Sequence, residues 1–184
     1  MYRYRVTGDE HIPADGPAVL VANHVSFVDA VLLLAASPRP IRLIMDHRIF
    51  QGPVLGWIFR LAKAIPIAGA REDPGMMQKA FDDVDAALAD GQLVCIFPEG
   101  KLTTTGEIDE FKAGVERILA ANPVPVIPLA LQGLWGSFFS RAPHKGLFRR
   151  FWSRVNIVAG TPLPADTGRL VMQEQVSRLR GDLR

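Results

Sequence analysis

The sequence predicts an α/β fold, a single domain over residues 1–184 with a mostly parallel central sheet flanked by helices. Three observations lead there. Short apolar runs of strand length, such as AVLVA (18–22) and QLVCIF (92–97), alternate along the chain with helix-length segments. Apart from Gln92 these runs are apolar, the pattern of strands covered on both faces. The chain has 184 residues, 48% of them hydrophobic and 22% charged, enough for one full core and too apolar for disorder.

Taken in order, residues 2–7 alternate as a strand and AVLVA follows as a buried one. FVDAVLLLAAS (27–37) reads as a helix stopped by Ser37-Pro38, and IRLIM (41–45) as a strand. GPVLGWIFRLAK (52–63) reads as a buried core helix with Pro53 in its first turn; Trp57 and Phe59 are alternatively candidates to line a channel. AIPI (64–67) is a short strand. DPGMMQKAFDDVDAALADG is an amphipathic helix starting near Pro74 and stopping at Gly91. After the strand QLVCIF come a helix at 110–122, a strand at 124–133, an irregular stretch, a strand at 154–160 and a closing helix within 167–183. The chain begins abruptly inside apparent structure, as a domain excised from a larger protein would.

Composition excludes several classes. The single Cys95 cannot form an internal disulfide and reads as a packed thiol, which fits a reducing compartment. No run approaches the ~20 apolar residues of a membrane-spanning helix, and the N-terminus lacks a signal-peptide layout. DDVD (82–85) lies mid-helix and reads as a solvated face, so no metal site is expected. The net charge of +2 hides an acid-free stretch between Arg117 and Ala165. There Trp135, Phe138, Phe139, Phe148, Phe151 and Trp152 interleave with Arg141, Lys145, Arg149, Arg150 and Arg154. That mixture suits an anionic membrane surface; it equally fits aromatics packed in the core beneath solvated arginines.

The strand AVLVA runs into NHVSFVD (23–29). Asn23, His24 and Asp29 thus lie past a strand's C-terminal end, where α/β folds place their clefts. Five helical steps of about 100° would set His24 and Asp29 about 140° apart. The workable arrangement keeps His24 in the loop, with Ser26 as helix cap and Asp29 on the first turn, its carboxylate turned back to the imidazole. Such a pair orients a general base without supplying a nucleophile, and a nearby helix N-terminus favours the neutral ring. Ser26-x-x-Asp29 also matches a capping box, and on these seven residues alone the two readings are even. CIFPEGKLTTTG repeats the situation at another strand end, although Pro-x-Gly alone suits a plain turn.

Together, NHVSFVD and FPEG resemble the glycerolipid acyltransferases, whose hallmark is Asn-His-x-x-x-x-Asp followed far downstream by Phe-Pro-Glu-Gly. GWIFRLAKAIPIAGARED is similar to the family's second block and VPVIPLAL to its fourth; order and spacing match from about residue 5 to residue 160. The resemblance implies that His24 is the general base and Asp29 its orienting partner. Asn23, Ser26, Glu99, Gly100, Lys101 and Thr103 are the implied substrate-binding residues, with Arg71 meeting a glycerol phosphate. Two departures stand out: AGA intervenes before Arg71, and Leu102 occupies the usual arginine position, leaving Lys101 to replace the charge. EGKLTTTG also resembles a variant that acylates lysophosphatidylethanolamine as part of an acyl-carrier-protein synthetase fusion.

The implied reaction moves a fatty acyl group from acyl-CoA or acyl-carrier-protein to a lysophospholipid hydroxyl, most simply that of 1-acylglycerol-3-phosphate. It needs no cofactor and no nucleic acid. The chain has no Gly-x-Ser-x-Gly nucleophile elbow. The implied location is cytoplasmic, peripheral on the inner membrane's cytoplasmic face. A lipid-binding domain without turnover and a thioesterase are the rivals; a binder would need neither a base nor its orienter.

Overall fold

The structure, a computed structural model, describes residues 3–137, 139–143 and 154–183. Seven strands form one sheet: β1 (Arg3–Thr7), β2 (Ala18–Ala22), β3 (Ile41–Asp46), β4 (Ile65–Ile67), β5 (Leu93–Ile96), β6 (Val126–Gln132) and β7 (Arg154–Ala159). Their order is β1-β7-β6-β2-β5-β3-β4, and every pairing is parallel except β6 with β7. Helices α1 (Asp29–Ala36), α2 (Leu55–Leu61), α3 (Pro74–Ala89), α4 (Gly114–Ala121) and α5 (Arg169–Arg180) cover the two faces. The sheet is the mostly parallel one that the apolar runs predict.

The pleat of β2 divides the core. Ala18, Leu20 and Ala22 join the cluster that holds Ala30, Leu32 and Leu33 of α1; Val19 and Val21 join the opposite cluster with α3, α4 and α5. All five β2 residues are buried, as a strand at the centre of a two-sided layer must be. Burial also pushes the Cys95 thiol up to about 12, which makes it an inert packing group.

The two ends of the sheet are treated differently. At the end where β2, β3 and β5 begin, the Arg39 guanidinium donates to the carbonyls of Pro13, Gly16 and Gly91, tying three loops together. The strands then run in parallel to the other end, where the chain leaves β2 at Asn23, β3 at Asp46 and β5 at Phe97. Polar side chains gather there.

Three predicted helices differ in ways with clear causes. α1 starts at Asp29 rather than Phe27, because the N–H groups of Val25 and Ser26 are held by the Asp29 carboxylate. α4 starts at Gly114 rather than 110: the N–H groups of Asp109, Phe111 and Lys112 bond to Glu99, Gln173 and the Pro98 carbonyl instead of entering a helix.

α2 corrects the buried-helix reading. It buries Gly56 and Phe59 but leaves Trp57 and Leu61 exposed, as is Val54 at its N-cap. It ends in a paired closure, Lys63 N–H to the Arg60 carbonyl and Ala64 N–H to that of Phe59, with Lys63 in the left-handed region at φ 51°. The preceding segment His47–Gln51 is a 3-10 helix that apolar periodicity does not reveal.

Leu20, fully buried where β2 meets β5 and β6, tests this core. Leu20→Ala is expected to lower unfolding free energy by about 2–5 kcal/mol in urea titrations. A loss below ~1 kcal/mol would contradict its central place.

Candidate active site

His24 follows β2 directly, and its ring is set from three directions. Nδ1 lies 2.9 Å from Asp29 Oδ2. A carboxylate can only accept, so the hydrogen of this contact sits on Nδ1 and the lone pair on Nε2 is left free. The ring stacks on Phe97 at a centroid distance of 4.2 Å with 21° between planes. The His24 peptide is gripped by the second motif: its N–H donates to Glu99 Oε1 at 2.7 Å and its carbonyl accepts from Thr103 N–H at 3.0 Å.

Asp29 is fully buried, and Oδ2 also accepts from Val25 N–H at 2.7 Å and Ser26 N–H at 2.9 Å. These bonds on one oxygen join the turn before α1 to the His–Asp pair, without forming the capping box that Ser26-x-x-Asp29 suggests. Oδ1 has no partner among the described residues. Ser26 is not the N-cap predicted for it: Val28 holds that position, and Ser26 Oγ only reaches Val28 N–H at 3.5 Å.

The expected substrate contacts divide by exposure. Asn23, Ser26, Glu99 and Thr103 are buried, and direct contact with a substrate is not what their geometry offers. The Asn23 amide accepts from Leu131 N–H and donates to the Leu131 carbonyl, extending the β2–β6 ladder by one side chain. Thr103 Oγ1 accepts from Gly106 N–H and shapes the loop. Gly100 and Lys101 do line the cavity described below, Lys101 also pairing with Asp109 at 3.1 Å. Arg71 is exposed on the turn after β4, beside the cavity-lining Gly69 and Ala70.

A cavity of about 1150 Å³ opens at His24. One wall is apolar and reaches between sheet and helices past Ile44, Phe81, Val84, Ile96, Val115 and Ile118. Four exposed cations also line it, Arg48, Lys101, Lys112 and Arg141. Its volume reaches the upper end of small-molecule sites and suits a long ligand with an apolar body and an anionic head.

Phe59 is in the lining, and Trp57 is not. Sequence reasoning missed Lys112. Its signal is Gly100, whose φ is +67° and whose absent Cβ would lie 2.6 Å from Lys112 Nζ, so the small residue makes room for the cation.

Glu99 joins the loops. Oε1 holds His24 and Oε2 accepts from Asp109 N–H at 2.8 Å. Burial pushes its carboxyl from the ordinary 4.5 up to about 7, against the pull of those two N–H donors. An acid raised in this way holds more protons folded than unfolded between 4.5 and about 7, so folding stability falls as pH rises through that window. Urea unfolding across it is expected to show a slope of up to about 1.4 kcal/mol per pH unit from this group. Glu99→Gln should remove that slope; an unchanged slope in the variant would contradict the assignment.

Comparison with known proteins agrees with this geometry. A family-wide acyltransferase profile matches residues 3–132. The chain is 32% identical over 133 residues to the chloroplast 1-acyl-sn-glycerol-3-phosphate acyltransferase LPAT1 of Arabidopsis thaliana, covering 72% of this chain and 36% of that one. It is 31% identical over 141 residues to the lysophosphatidylcholine acyltransferase of Drosophila melanogaster, covering 75% of this chain and 25% of that one. This chain therefore spans about a third or less of these two relatives' length. The crystal structure of the 1-acyl-sn-glycerophosphate acyltransferase PlsC from Thermotoga maritima superposes with a TM-score of 0.76 at 23% identity, over 96% of this chain and 70% of that one; the likeness is one of fold. With the profile spanning most of its length and both hallmark motifs gathered at one sheet end, the chain belongs to the acyltransferase family.

Proposed function

We propose that the protein transfers a fatty acyl group from an acyl thioester, acyl-CoA or acyl-carrier-protein, to the free hydroxyl of a lysophospholipid, with 1-acylglycerol-3-phosphate as the first acceptor to test. The observation that carries this reading is an imidazole oriented by a buried carboxylate at the mouth of a large, mostly apolar cavity. The relatives, named as acyltransferases of lysophospholipids, support it.

In this mechanism His24 Nε2 takes the acceptor hydroxyl's proton as that oxygen attacks the thioester carbonyl. Asp29, hydrogen-bonded to Nδ1, stabilises the imidazolium that forms. The tetrahedral intermediate collapses by breaking the C–S bond, and the thiolate recovers a proton from the imidazolium. In this reading transfer is direct, and the buried Cys95, its thiol pushed up to about 12 by burial, takes no part. In this reading the cavity-lining Lys112 meets the acceptor phosphate, with Lys101 and Arg48, each already paired with an acid, beside it and Arg71 at the outer turn. Asn23, Ser26, Glu99 and Thr103 act by holding His24 and Asp29 in place.

The working location in this reading is the cytoplasmic face of the inner membrane, bound peripherally. Among the described residues no helix is long and apolar enough to cross a membrane. Much of the aromatic and basic stretch expected to touch lipid, including Phe138, Lys145, Phe148, Arg149, Arg150, Phe151 and Trp152, lies outside the described residues. Phe139, within them, is exposed.

Thiol release from acyl-CoA and from acyl-carrier-protein, with and without each lysolipid, separates the readings. Acceptor-dependent release is expected, and His24→Ala should reduce it about a thousandfold while the fold persists. Release without acceptor would mark a thioesterase, no release with any donor a binding domain, and a folded, fully active His24→Ala would refute the base assignment.

A further inference from the structure

The exposed face of α2 is unusual for a surface. Val54, Trp57 and Leu61, spaced i, i+3 and i+7 on one side, are 67%, 64% and 72% exposed. Isolated exposed apolar residues are ordinary; these adjoin more of the same kind. Val54 and Leu55 line the cavity that holds His24, and so does Phe27, itself exposed and linked through its N–H to the carbonyl of the exposed Phe139. The apolar face therefore continues into the cavity mouth.

Its charge is one-sided. From His47 to Arg71 the chain has no Asp or Glu but carries Arg48, Arg60, Lys63 and Arg71. Arg48 is neutralised by Glu72 at 2.6 Å, whereas Lys63 and Arg71 make no ion pair among the described residues. Lys63 occupies the left-handed position at the end of α2, where glycine fits without strain. A lysine there keeps a cation two residues from Leu61. Arg141, its guanidinium 5.9 Å from the Phe27 ring, adds another beside the mouth.

We propose that α2 and its flanks are the membrane-docking surface: Val54, Trp57 and Leu61 enter the headgroup boundary of an anionic leaflet, and Lys63, Arg71 and Arg141 meet its charge. This rests on the acyltransferase reading for its purpose, since docking here sets the cavity mouth against the leaflet and lets a lysolipid pass to His24 without crossing water. It does not rest on residues 144–153. Apolar anchors ringed by cations are the composition that holds a helix in the interface plane.

The test is co-sedimentation of the full chain with vesicles of phosphatidylcholine alone and of phosphatidylcholine with phosphatidylglycerol in equal parts. Wild type should prefer the anionic vesicles and lose binding with salt. Trp57→Gln/Leu61→Gln should reduce partitioning at least about tenfold while turnover of a short-chain lysophospholipid, below its micelle-forming concentration, stays unchanged. Lys63→Gly, which relieves backbone strain, should keep or raise thermal stability yet weaken anionic binding and flatten its salt dependence. The proposal is overturned if both variants bind vesicles as wild type does, or if the double variant only dissolves a dimer in sedimentation velocity with vesicle binding intact. Variant-sensitive vesicle binding without turnover of any acceptor would sink the acyltransferase reading and leave the docking surface standing.

Discussion

One oxygen, Asp29 Oδ2, accepts from the His24 ring and from the N–H groups of Val25 and Ser26. Those donors would otherwise point in different directions at the end of β2. Drawn to one charged acceptor, they wrap the chain into a tight turn, start α1 and fix the imidazole tautomer together. A buried carboxylate is tolerable only with such charge-assisted bonds, so local folding and site geometry share a cause. Removing the carboxylate would lose the turn as well as the orienter, which makes Asp29 harder to interpret by substitution than His24.

Glu99 repeats this logic from the neighbouring strand. The end of β5 lies beside that of β2 in a parallel sheet, so a carboxylate just past it can reach the His24 peptide. Thr103, four residues on, returns an N–H to the His24 carbonyl. The two motifs, about seventy residues apart in the chain, become one unit because parallel strands bring their C-terminal ends to one edge. Arg39 ties the far end of the same strands, leaving the site end free to be built from loops.

The alternation of apolar runs and helical segments made the sheet legible, and the His24–Asp29 spacing made the pair legible, because both follow from local periodicity. Burial was legible only in part. Asn23, Ser26, Glu99 and Thr103 look like ligand contacts in a motif, yet whether a polar side chain faces a cavity or a backbone amide depends on partners such as Leu131 and Asp109 far along the chain. The start of α4 failed for the same reason, its N–H groups being claimed by Glu99, Gln173 and Pro98. The apolar character of α2 suggested a core helix; composition cannot distinguish a face turned to the core from one left exposed at the surface. Lys112 stayed hidden because only the fold brings its side chain against Gly100, twelve residues earlier.

Asp29 holds the hydrogen of His24 on Nδ1, which leaves Nε2 as the proton acceptor at the cavity. Nitrogen-15 NMR of the imidazole in the folded protein at neutral pH tests this directly, with His24→Gln used to assign its signals. The expected result is that the neutral form of the ring carries its hydrogen on Nδ1, with that proton protected from exchange. A ring protonated at Nε2, or an even mixture of tautomers exchanging freely with solvent, would contradict it.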